Sequence, residues 1–442
     1  MCGIFGAFNA HKAAELTVIG LHGNQHRAID YAGIVTSDGR NLYRERGRGL
    51  ARQVFDKDTI NRLHGMHALG HIRYPTVTDD AHRDNIQPIL GVYGRGQIAL
   101  AHNGNLTNTA ELQVALSNQT LATSIDSELI LRLIEEKQSG DIVADLTGIF
   151  SSLKGSYSLG ILLPDRLIAV RDRSGNHPLS IGMQNGSYFI SSETVAFGGL
   201  DATFVRDVGP GEMVVIDSDG IHAHRFADKA EKKCRFEGTY FSHPSSVVFG
   251  EPVAQYRRRL GRMLEEYCPA HFADIVTPVP DSSNLIAMGY AESGRSGIYD
   301  PVIIRSHYVG RTFIAATQAR RDEEVAQKFS FTASDIVGKK IVVVDDSIVR
   351  GTTLPIIVRK LKEYGAKEIH LRIGSPPIMH PCLYGINTPD IGKLISAQVP
   401  RESICYSIGA DSLEFLPIEV LKQVSPNPES YCFACMDGKY WH

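Results

Sequence analysis

Apolar and polar residues follow two different patterns along the chain, and the change falls close to residue 230. The first half contains short apolar or alternating runs that predict β-strands, at residues 97–101, 157–163, 187–192 and 213–216. Helical spacing of the apolar residues predicts two helices, at 127–137 and 142–153. Residues 2–229 are therefore predicted to form a mixed α+β domain.

The second half alternates helices with strands. The predicted strands lie at residues 274–278, 302–304, 341–344 and 368–373, and the predicted helices at 252–267 and 354–364. Such alternation is typical of a doubly wound, mostly parallel sheet. The charged, aperiodic stretch Ala227–Lys233 separates the two patterns, so an α/β domain is predicted over residues 230–442.

Composition narrows the class of protein. The 442 residues carry a formal net charge of −3, which argues against a nucleic-acid partner or an acidic membrane surface. No apolar run approaches the ~18 residues of a membrane span, and the amino terminus lacks the pattern of a signal peptide. Seven cysteines, an odd number in a long chain, fit reduced thiols in the cytoplasm better than a disulfide scaffold.

The predicted strand at 341–344 ends at two adjacent carboxylates, Asp345 and Asp346, and a hydroxyl-rich loop then leads into a helix. Ligands of open α/β sheets bind at the carboxyl ends of the strands, and backbone N–H groups at a helix start suit a phosphate. The carboxylates could accept hydrogen bonds from sugar hydroxyls, or hold a Mg²⁺ ion that bridges to a pyrophosphate. A plain Asp pair that caps a helix is the structural alternative.

The amino terminus reads MCGIFG, so removal of the first methionine would leave Cys2 with a thiol and a free α-amine. At neutral pH the uncharged amine is a competent acceptor for the thiol proton. Hydrolysis of a glutamine amide also needs an oxyanion hole, which Asn103 and the N–H of Gly104 could form. Arg73 and Asp126 could bind the α-carboxylate and α-ammonium groups of glutamine. Taken singly, these residues also fit a turn, a helix cap and an incidental cysteine.

The string KKIVVVDDSIVRGTT at residues 339–353 resembles the phosphoribosylpyrophosphate (PRPP) signature of type I phosphoribosyltransferases. The resemblance implies that PRPP is bound by Asp345, Asp346, Ser347, Arg350, Gly351, Thr352 and Thr353. VTPVPDSS resembles that family's pyrophosphate loop, and the segment from RSHYVGRTFI onward resembles its cationic flap. These similarities imply PRPP-binding roles for Asp281, Ser282, Arg311 and Lys328. The implied magnesium ligands are Ser283, Asp345 and Asp346.

The strings MCGIFG, GHIRYPT, AHNGNL and TSIDSE together resemble class II glutamine amidotransferases, whose nucleophile is the amino-terminal residue. Such a glutaminase followed by a PRPP-type transferase is the arrangement of the amidophosphoribosyltransferase family. The strings QHR, RDRSGNHPL and SIGADSL extend the similarity over nearly the whole chain. The resemblance implies an αββα sandwich, an N-terminal-nucleophile fold, followed by a type I phosphoribosyltransferase sheet.

The implied reaction converts glutamine, PRPP and water into 5-phosphoribosylamine, glutamate and pyrophosphate, which is the first committed step of purine synthesis. In the family, ammonia passes between the two sites through an internal channel. The resemblance also implies a homo-oligomer and feedback by purine nucleotides that bind between subunits.

Four cysteines match positions that carry a [4Fe–4S] cluster in one branch of the family, namely Cys234, Cys382, Cys432 and Cys435. Four thiolates are the required number, and the C-x2-C pair supplies two of them from one turn. Zinc bound by four cysteines is the chemical alternative, and buried thiols without a metal are the third interpretation.

The chain also departs from the family pattern. Ala28-Ile29 replaces a Gly-Gln pair, Pro75 replaces a small polar residue, Ser283 replaces a glycine, and Arg305 and His307 replace a Lys and an Arg. A methyl group at a close backbone approach can shift a pocket, so Ala28-Ile29 and Pro75 bear on glutamine binding. Two other functions stay open: a non-catalytic paralogue that senses PRPP, and a different class II amidotransferase, whose partner motifs are not found.

Overall fold

The computed structural model of the chain describes residues 1–74, 83–117, 120–306 and 327–441. Within these ranges the first half of the chain builds two antiparallel sheets, and the second half builds a five-stranded parallel sheet and three smaller two-stranded sheets. This combination of an α+β half and an α/β half is the fold class that the sequence predicts.

The elements of the first half are listed here in chain order, and a short 3₁₀ turn at Arg83–Asn85 also occurs. They are β1 (Gly3–Phe8), α1 (Ala13–Gly23), β2 (Tyr31–Ser37), β3 (Leu42–Arg48), α2 (Ala51–Val54), α3 (Lys57–Asn61), β4 (His67–Arg73), β5 (Ile89–Tyr93), β6 (Gly96–Leu106), α4 (Thr109–Ala115), α5 (Asp126–Glu136), α6 (Ile142–Ser152), β7 (Gly155–Leu163), β8 (Arg166–Arg171), β9 (Ser180–Gln184), β10 (Ser187–Ser191), α7 (Val195–Gly198), β11 (Thr203–Asp207), β12 (Glu212–Asp217) and β13 (Gly220–Arg225).

The strands of the first half form two stacked sheets. In the described residues one sheet has the order β11-β9-β10-β1-β4-β2-β3, and the other has the order β13-β12-β8-β7-β6-β5. Between them, Ile4 and Val35 of the first sheet belong to one apolar cluster with Leu162 and Val214 of the second. Successive side chains of a strand point to opposite faces, so the residues next to Ile4 and Val35 are directed away from this inner core.

Helices cover both outer faces of the sheets. Phe5 of β1 lies in a cluster with Val18 and Leu21 of α1. On the far side, Ile98 of β6 lies in a cluster with Ile130 of α5 and residues of α6. The layers therefore run helix, sheet, sheet, helix, which is the αββα arrangement that the resemblance implies.

The second half begins with β14 (Lys233–Cys234) and a short π-helix at Glu237–Phe241, and it contains 3₁₀ turns at Ile391–Lys393 and Pro428–Ser430. The remaining elements are β15 (Val247–Val248), β16 (Glu251–Pro252), α8 (Val253–Tyr267), β17 (Ile275–Pro278), α9 (Asn284–Ala291), β18 (Ile298–Tyr299), β19 (Ile303–Arg305), β20 (Phe329–Phe331), α10 (Ala333–Ile336), β21 (Lys340–Asp345), α11 (Leu354–Glu363), β22 (Glu368–Ile373), α12 (Ile395–Gln398), α13 (Arg401–Ile408), β23 (Ser412–Phe415), α14 (Ile418–Gln423), β24 (Tyr431–Cys432) and α15 (Ala434–Asp437).

The main sheet of the second half is parallel and buried on both faces. Its described strands follow the order β18-β17-β21-β22-β23. Along β21, Val342 and Val344 lie in one apolar cluster with α8 and α9, whereas Ile341 and Val343 lie in another with α11 and α13. Helices on both faces are what a continuous apolar strand requires. The carboxyl end of β21 therefore emerges at the edge where ligands of such sheets bind.

One predicted strand lies outside this sheet. The run predicted at 302–304 is indeed extended, as β19, but it pairs antiparallel with β20. The apolar pattern correctly indicates a strand here, but a three-residue run carries no information about its partner.

The predicted boundary between residues 229 and 230 falls in a segment that lies against the first half. The N–H of Ala230 donates to the carbonyl of Arg173 at 2.7 Å, and the N–H of Cys234 donates to that of Asn176 at 3.0 Å. The first residues after the predicted boundary are therefore joined to the first half by main-chain hydrogen bonds.

A buried ion-pair network also joins the halves. The guanidinium of Arg27 donates to both carboxylate oxygens of Glu237, at 2.8 and 3.0 Å, and both side chains are fully buried. Burial alone would raise the pKa of Glu237, but the charge of Arg27 and a hydrogen bond from His177 outweigh it and lower the pKa to about 2. Loss of either charge would leave the other buried without a partner, so the ion pair stabilises the packing of the two halves against each other.

We expect Glu237→Gln to lower the free energy of unfolding by about 3 kcal/mol at neutral pH, because it leaves a buried guanidinium without its full counter-charge. A carboxyl group whose pKa is lowered by folding contributes stability above its unfolded value of about 4.3, and this contribution is lost as the pH falls towards the folded value. The stability difference between the parent and the variant should therefore shrink below about pH 4. This difference in unfolding free energy is measured by urea titrations at several pH values, with circular dichroism as the signal for unfolding.

Glu111→Gln is the matched control, because Glu111 pairs with Lys154 at the surface at 2.9 Å. An exposed pair of this kind contributes little to stability because water screens its charges. Equal stability of the two variants would contradict a structural role for the buried pair.

Candidate functional site

Cys2 and Asn103 meet where β1 begins and β6 nears its end. The backbone nitrogen of Cys2 donates to Oδ1 of Asn103 at 3.1 Å. The other amide atom, Nδ2, is buried and has no hydrogen-bond partner among the described residues. An unpartnered buried donor costs free energy, and such donors are common where a ligand completes the bond. Asn103 thus contacts the residue that bears the thiol and keeps one amide donor available.

Gly104 follows Asn103 in a position where only glycine fits. A Cβ atom there would lie 2.1 Å from the carbonyl oxygen of Ser156 and 2.8 Å from Nε2 of His102. The backbone of β6 therefore approaches β7 without a side chain between them. The close contact between β6 and β7 explains why glycine follows Asn103 here, whereas a simple turn would not require that contact.

Arg73 and Asp126 lie within electrostatic range of Cys2. Arg73 ends β4 and is 6% exposed. Burial lowers its pKa, and negative charge at Cys2 and Asp126 opposes that shift. Asp126 begins α5, and its Oδ2 accepts a hydrogen bond from the N–H of Leu106 at 2.9 Å. The structure therefore brings together the sequence-predicted residues Cys2, Arg73, Asn103, Gly104 and Asp126.

His102 is a member of this site that the sequence interpretation missed. Its Nδ1 lies 3.4 Å from Oδ1 of Asp126 and 3.1 Å from the hydroxyl of Ser127. Burial raises the pKa of Asp126, but the charge of His102 outweighs that effect and holds the pKa below its usual value. His102 stands in the string AHNGNL, but the sequence gives no sign that its ring lies next to Asp126; the fold shows this contact.

Arg27 is the second missed residue. Its Nε donates to the carbonyl of Cys2 at 2.9 Å, while its guanidinium also donates to Glu193 at 2.5 Å and to Glu237. The backbone of Cys2 is thus held by a fully buried cation. The neighbouring departure from the family, Ala28, has its methyl group in the apolar cluster behind the first sheet. Pro75 lies outside the described residues.

A second group of polar residues lies at the carboxyl end of β21. Asp345 and Asp346 are almost completely buried. Burial raises the pKa of both, and for Asp345 the neighbouring charge of Asp346 raises it further. The hydroxyls of Ser282 and Ser347 both donate to Asp346, the latter at 2.6 Å. Two adjacent buried carboxylates favour a cation or hydroxyl donors between them.

The loop after these carboxylates leads into α11. Gly351 has a φ of +67°, and a Cβ atom there would lie 2.7 Å from Cδ1 of Ile395. Arg350 and Thr352 are exposed, and Thr353 immediately precedes α11. This loop has the form of an anion-binding turn at a helix start.

The other residues predicted to contact PRPP or its metal lie in different environments. Asp281 accepts a hydrogen bond from Arg305 at 2.6 Å, and positive charge at Lys328 partly opposes the rise in the pKa of Asp345 that burial and Asp346 cause. Arg311 and His307 lie outside the described residues. Ser283 is fully buried, and its hydroxyl donates to the carbonyl of Val279 at 2.5 Å. In this conformation its oxygen is directed to the main chain rather than to a metal.

The four cysteines predicted to bind a cluster come together, although they are far apart in the sequence. Cys234 and Cys432 are paired across the parallel strands β14 and β24. Burial raises the pKa of Cys234, and negative charge at Glu237 and at the other three thiols raises it further. The N–H of Tyr384 donates to Sγ of Cys382 at 3.3 Å. The described residues contain no group of three or more His, Cys, Asp or Glu side chains spaced for a single metal ion.

No helix in the described part of the chain has both the length and the apolar character needed to cross a membrane.

Residues 71–198 match the family model described as a glutamine amidotransferase domain. The chain is 41% identical over 449 residues to the amidophosphoribosyltransferase of Bacillus subtilis, with 99% of this chain and 94% of that protein covered. It is 39% identical over 463 residues to the amidophosphoribosyltransferase of Methanocaldococcus jannaschii, with coverages of 100% and 97%.

The solved structure of the glutamine PRPP amidotransferase of B. subtilis, complexed with ADP and GMP, superimposes with a TM-score of 0.92 at 41% identity and covers 99% of this chain and 97% of that chain. Similarity of this extent in both sequence and fold places the chain in the amidophosphoribosyltransferase family.

Proposed function

We propose that this chain transfers the amide nitrogen of glutamine to PRPP, giving 5-phosphoribosylamine, glutamate and pyrophosphate at the first step of purine biosynthesis. The observation that carries this proposal is the presence of two sites in one chain: the contact of Cys2 with Asn103, and the buried Asp345-Asp346 pair at a parallel-sheet edge. Family membership supports the same enzyme assignment and argues against a non-catalytic PRPP sensor.

Cys2 is the nucleophile of the glutaminase reaction in this proposal. Once Met1 is removed, the α-amine accepts the thiol proton, and the thiolate attacks the carboxamide carbon of glutamine. Nδ2 of Asn103 and the N–H of Gly104 donate to the oxygen that becomes negative. The amine then protonates the leaving nitrogen, ammonia departs, and water hydrolyses the thioester to glutamate. Arg73 and Asp126 bind the two charged ends of the substrate.

The second site binds PRPP and brings its anomeric carbon to ammonia. Asp345 and Asp346 accept hydrogen bonds from the ribose hydroxyls, and Ser347, Arg350, Gly351, Thr352 and Thr353 surround the 5-phosphate. Asp281, Ser282, Arg311 and Lys328 contact the pyrophosphate, whose departure leaves an oxocarbenium-like centre that ammonia attacks. The carboxylate pair would hold Mg²⁺, which neutralises pyrophosphate charge when it is bound. Ser283 would join them through a lone pair of its hydroxyl oxygen, whose hydrogen is donated to the carbonyl of Val279.

Ammonia is proposed to move through the apolar region beside Cys2. The side chain of Met1 is 4% exposed and lies in an apolar cluster of the second half with Phe236 and Ile386. After Met1 is removed, these surroundings border the nucleophile directly. An apolar environment admits neutral ammonia and penalises the ammonium ion, which favours delivery of the reactive species.

Cys234, Cys382, Cys432 and Cys435 are proposed to hold a [4Fe–4S] cluster with a structural role. The donor set fits, because four thiols converge in a buried region where their pKa values are all raised, that of Cys432 to about 11. Neutral thiols become thiolates there only when a cationic centre compensates their charge. Backbone N–H groups of Tyr384, Gly385 and Ile386 act on the sulfur of Cys382, as hydrogen bonds to cluster thiolates do.

Three further features of the family are proposed for this chain. Purine nucleotides act as effectors, since the B. subtilis relative is described as complexed with ADP and GMP. The chain forms a homo-oligomer and works in the cytoplasm, where its thiols stay reduced. The glutaminase covers residues 2–229 and the transferase residues 230–442.

We expect Cys2→Ala to reduce glutamine-dependent formation of phosphoribosylamine by about 10³-fold or more, because no other nucleophile replaces the thiol. Ammonia-dependent formation should stay within about twofold of the parent, since the second site is unchanged. Parallel assays with each nitrogen source measure the two rates. Cys405→Ala is the control, because Cys405 packs beside the apolar cluster of α11 and α13. Loss of both rates in folded Cys2→Ala would contradict the division into two sites.

Asp346→Asn should reduce the rate with glutamine and the rate with ammonia alike, by about 10²-fold in kcat/KM for PRPP, because it removes a charge that holds ribose or magnesium. Asp335→Asn is the comparison, since Asp335 is an exposed carboxylate in the first turn of the short helix α10. Retention of ammonia-dependent activity in Asp346→Asn would remove this residue from the PRPP site.

Protein purified without oxygen should be brown and contain iron and acid-labile sulfide in equal amounts. Cys435→Ser should lose the colour and most of the iron, because three ligands bind the cluster less well than four. Cys268→Ser should keep both, since Cys268 packs in the core and donates to the carbonyl of Phe415 instead. A colourless parent protein with one zinc ion per chain would support the zinc alternative.

A further inference from the structure

A loop of the second half, Leu383–Gly385, lies directly on the strand that carries Asn103 and Gly104. The side chain of Asn105 donates through Nδ2 to the carbonyl of Leu383 at 3.0 Å. A Cβ atom on Gly385 would lie 2.8 Å from the carbonyl carbon of Gly104 and 3.0 Å from its oxygen. Gly385 also has a φ of +108°, which favours glycine. The two backbones are thus in contact with no side chain between them.

The same loop is connected to the backbone of the nucleophile. His177 lies between two partners, with Nε2 2.6 Å from the carbonyl of Tyr384 and Nδ1 3.1 Å from Glu237. Glu237 binds Arg27, whose Nε donates to the carbonyl of Cys2. His177 is fully buried, so no solvent competes for these hydrogen bonds. One short loop therefore restrains the oxyanion strand directly and the nucleophile through three side chains.

The loop is itself held firmly from the other side. The N–H of Cys382 donates to the hydroxyl of Thr388 at 2.6 Å. The ring of Tyr384 stacks on that of Trp441 with centroids 4.1 Å apart, and its hydroxyl exchanges hydrogen bonds with the Trp441 backbone at 2.8 and 2.9 Å. A loop restrained in this way can transmit its position to a neighbouring strand rather than yield to it.

We propose that Leu383–Gly385 is a positioning element for the oxyanion hole of the glutaminase site, although it belongs to the other half of the chain. This inference rests on the proposed function, because it assigns the loop a task in glutamine hydrolysis. Oxyanion-hole donors act only when they are aligned with the developing charge, and loss of one donor typically costs about 10²–10³ in kcat. We expect a displacement of a few tenths of an ångström at Gly104 to lower kcat by less than the complete loss of a donor would.

The test is Gly385→Ala in the full-length protein. The added methyl group must displace the backbone of Gly104, so kcat with glutamine should fall by about 10–10²-fold. KM for glutamine should stay within about twofold, because Arg73 and Asp126 still bind the ends of the substrate. The ammonia-dependent rate and the rate of Cys2 alkylation by iodoacetamide should not change, since neither uses an oxyanion hole.

Gly409→Ala is the matched control. Gly409 also has a positive φ, +81°, but the nearest atom to its Cβ position is Cγ1 of Val358 at 4.0 Å. It therefore reproduces the backbone strain without the contact on Gly104, and all rates should stay within about twofold.

Asn105→Asp provides a second variant that is expected to fold, because Asn105 is exposed. It replaces the donor to Leu383 with an acceptor, so the glutamine-dependent kcat should fall by about 3–10-fold while the ammonia-dependent rate stays constant. An unchanged kcat with glutamine in both variants, or an equal loss of both activities, would overturn the proposal. Absence of both activities in the parent protein would instead contradict the proposed function.

Discussion

The buried guanidinium of Arg27 is the interaction on which the arrangement of this molecule depends. It binds the carbonyl of Cys2, the carboxylate of Glu193 in the first half, and the carboxylate of Glu237 in the π-helix of the second. Burial lowers the pKa of Arg27, but the two carboxylates outweigh that effect and keep it charged. A cation without access to water is costly to leave unpaired, so the native packing favours bringing residues 27, 193 and 237 together. The nucleophile is positioned by the same condition.

The two sites use buried charge in opposite ways. Around Cys2 buried charges are arranged in pairs of opposite sign: Arg27 faces Glu193 and Glu237, and Asp126 faces His102. At the sheet edge, Asp345 and Asp346 repel each other, and burial raises the pKa of both. The first arrangement is stable on its own and holds a backbone in place. The second is unfavourable until a cation or hydroxyl donors arrive, which is typical of a ligand site rather than of a structural pair.

Periodicity in the sequence located several of the elements and indicated the fold class, although it left many short strands and helices of the first half unassigned. The helix predicted at 127–137 is Asp126–Glu136, and the strand predicted at 368–373 is Glu368–Ile373. The strings that carry the family resemblance correctly led to the family. Arg27, His102 and Glu237 were missed as site residues because their roles depend on partners up to 210 positions away. An apolar pattern shows which face of an element is buried, but not which polar group will meet it there.

His177 contacts two residues of the second half, Glu237 and Tyr384, and thereby connects both parts of the glutaminase site to that half. Its two ring nitrogens lie against two acceptors, the carboxylate of Glu237 and the carbonyl of Tyr384, so it links the ion pair that holds Cys2 to the loop that contacts Gly104. The contact with Glu237 restrains the backbone of Cys2, and the contact with Tyr384 restrains the strand that carries Gly104. With only one of these contacts, the other element would be held less firmly. Because the thiol must attack a carbon whose oxygen is bound by that strand, their separation matters more than the position of either one. A fully buried histidine of the glutaminase half restrains that separation through two partners in the other half, Glu237 and Tyr384, which gives a physical reason for the two halves to pack as one unit.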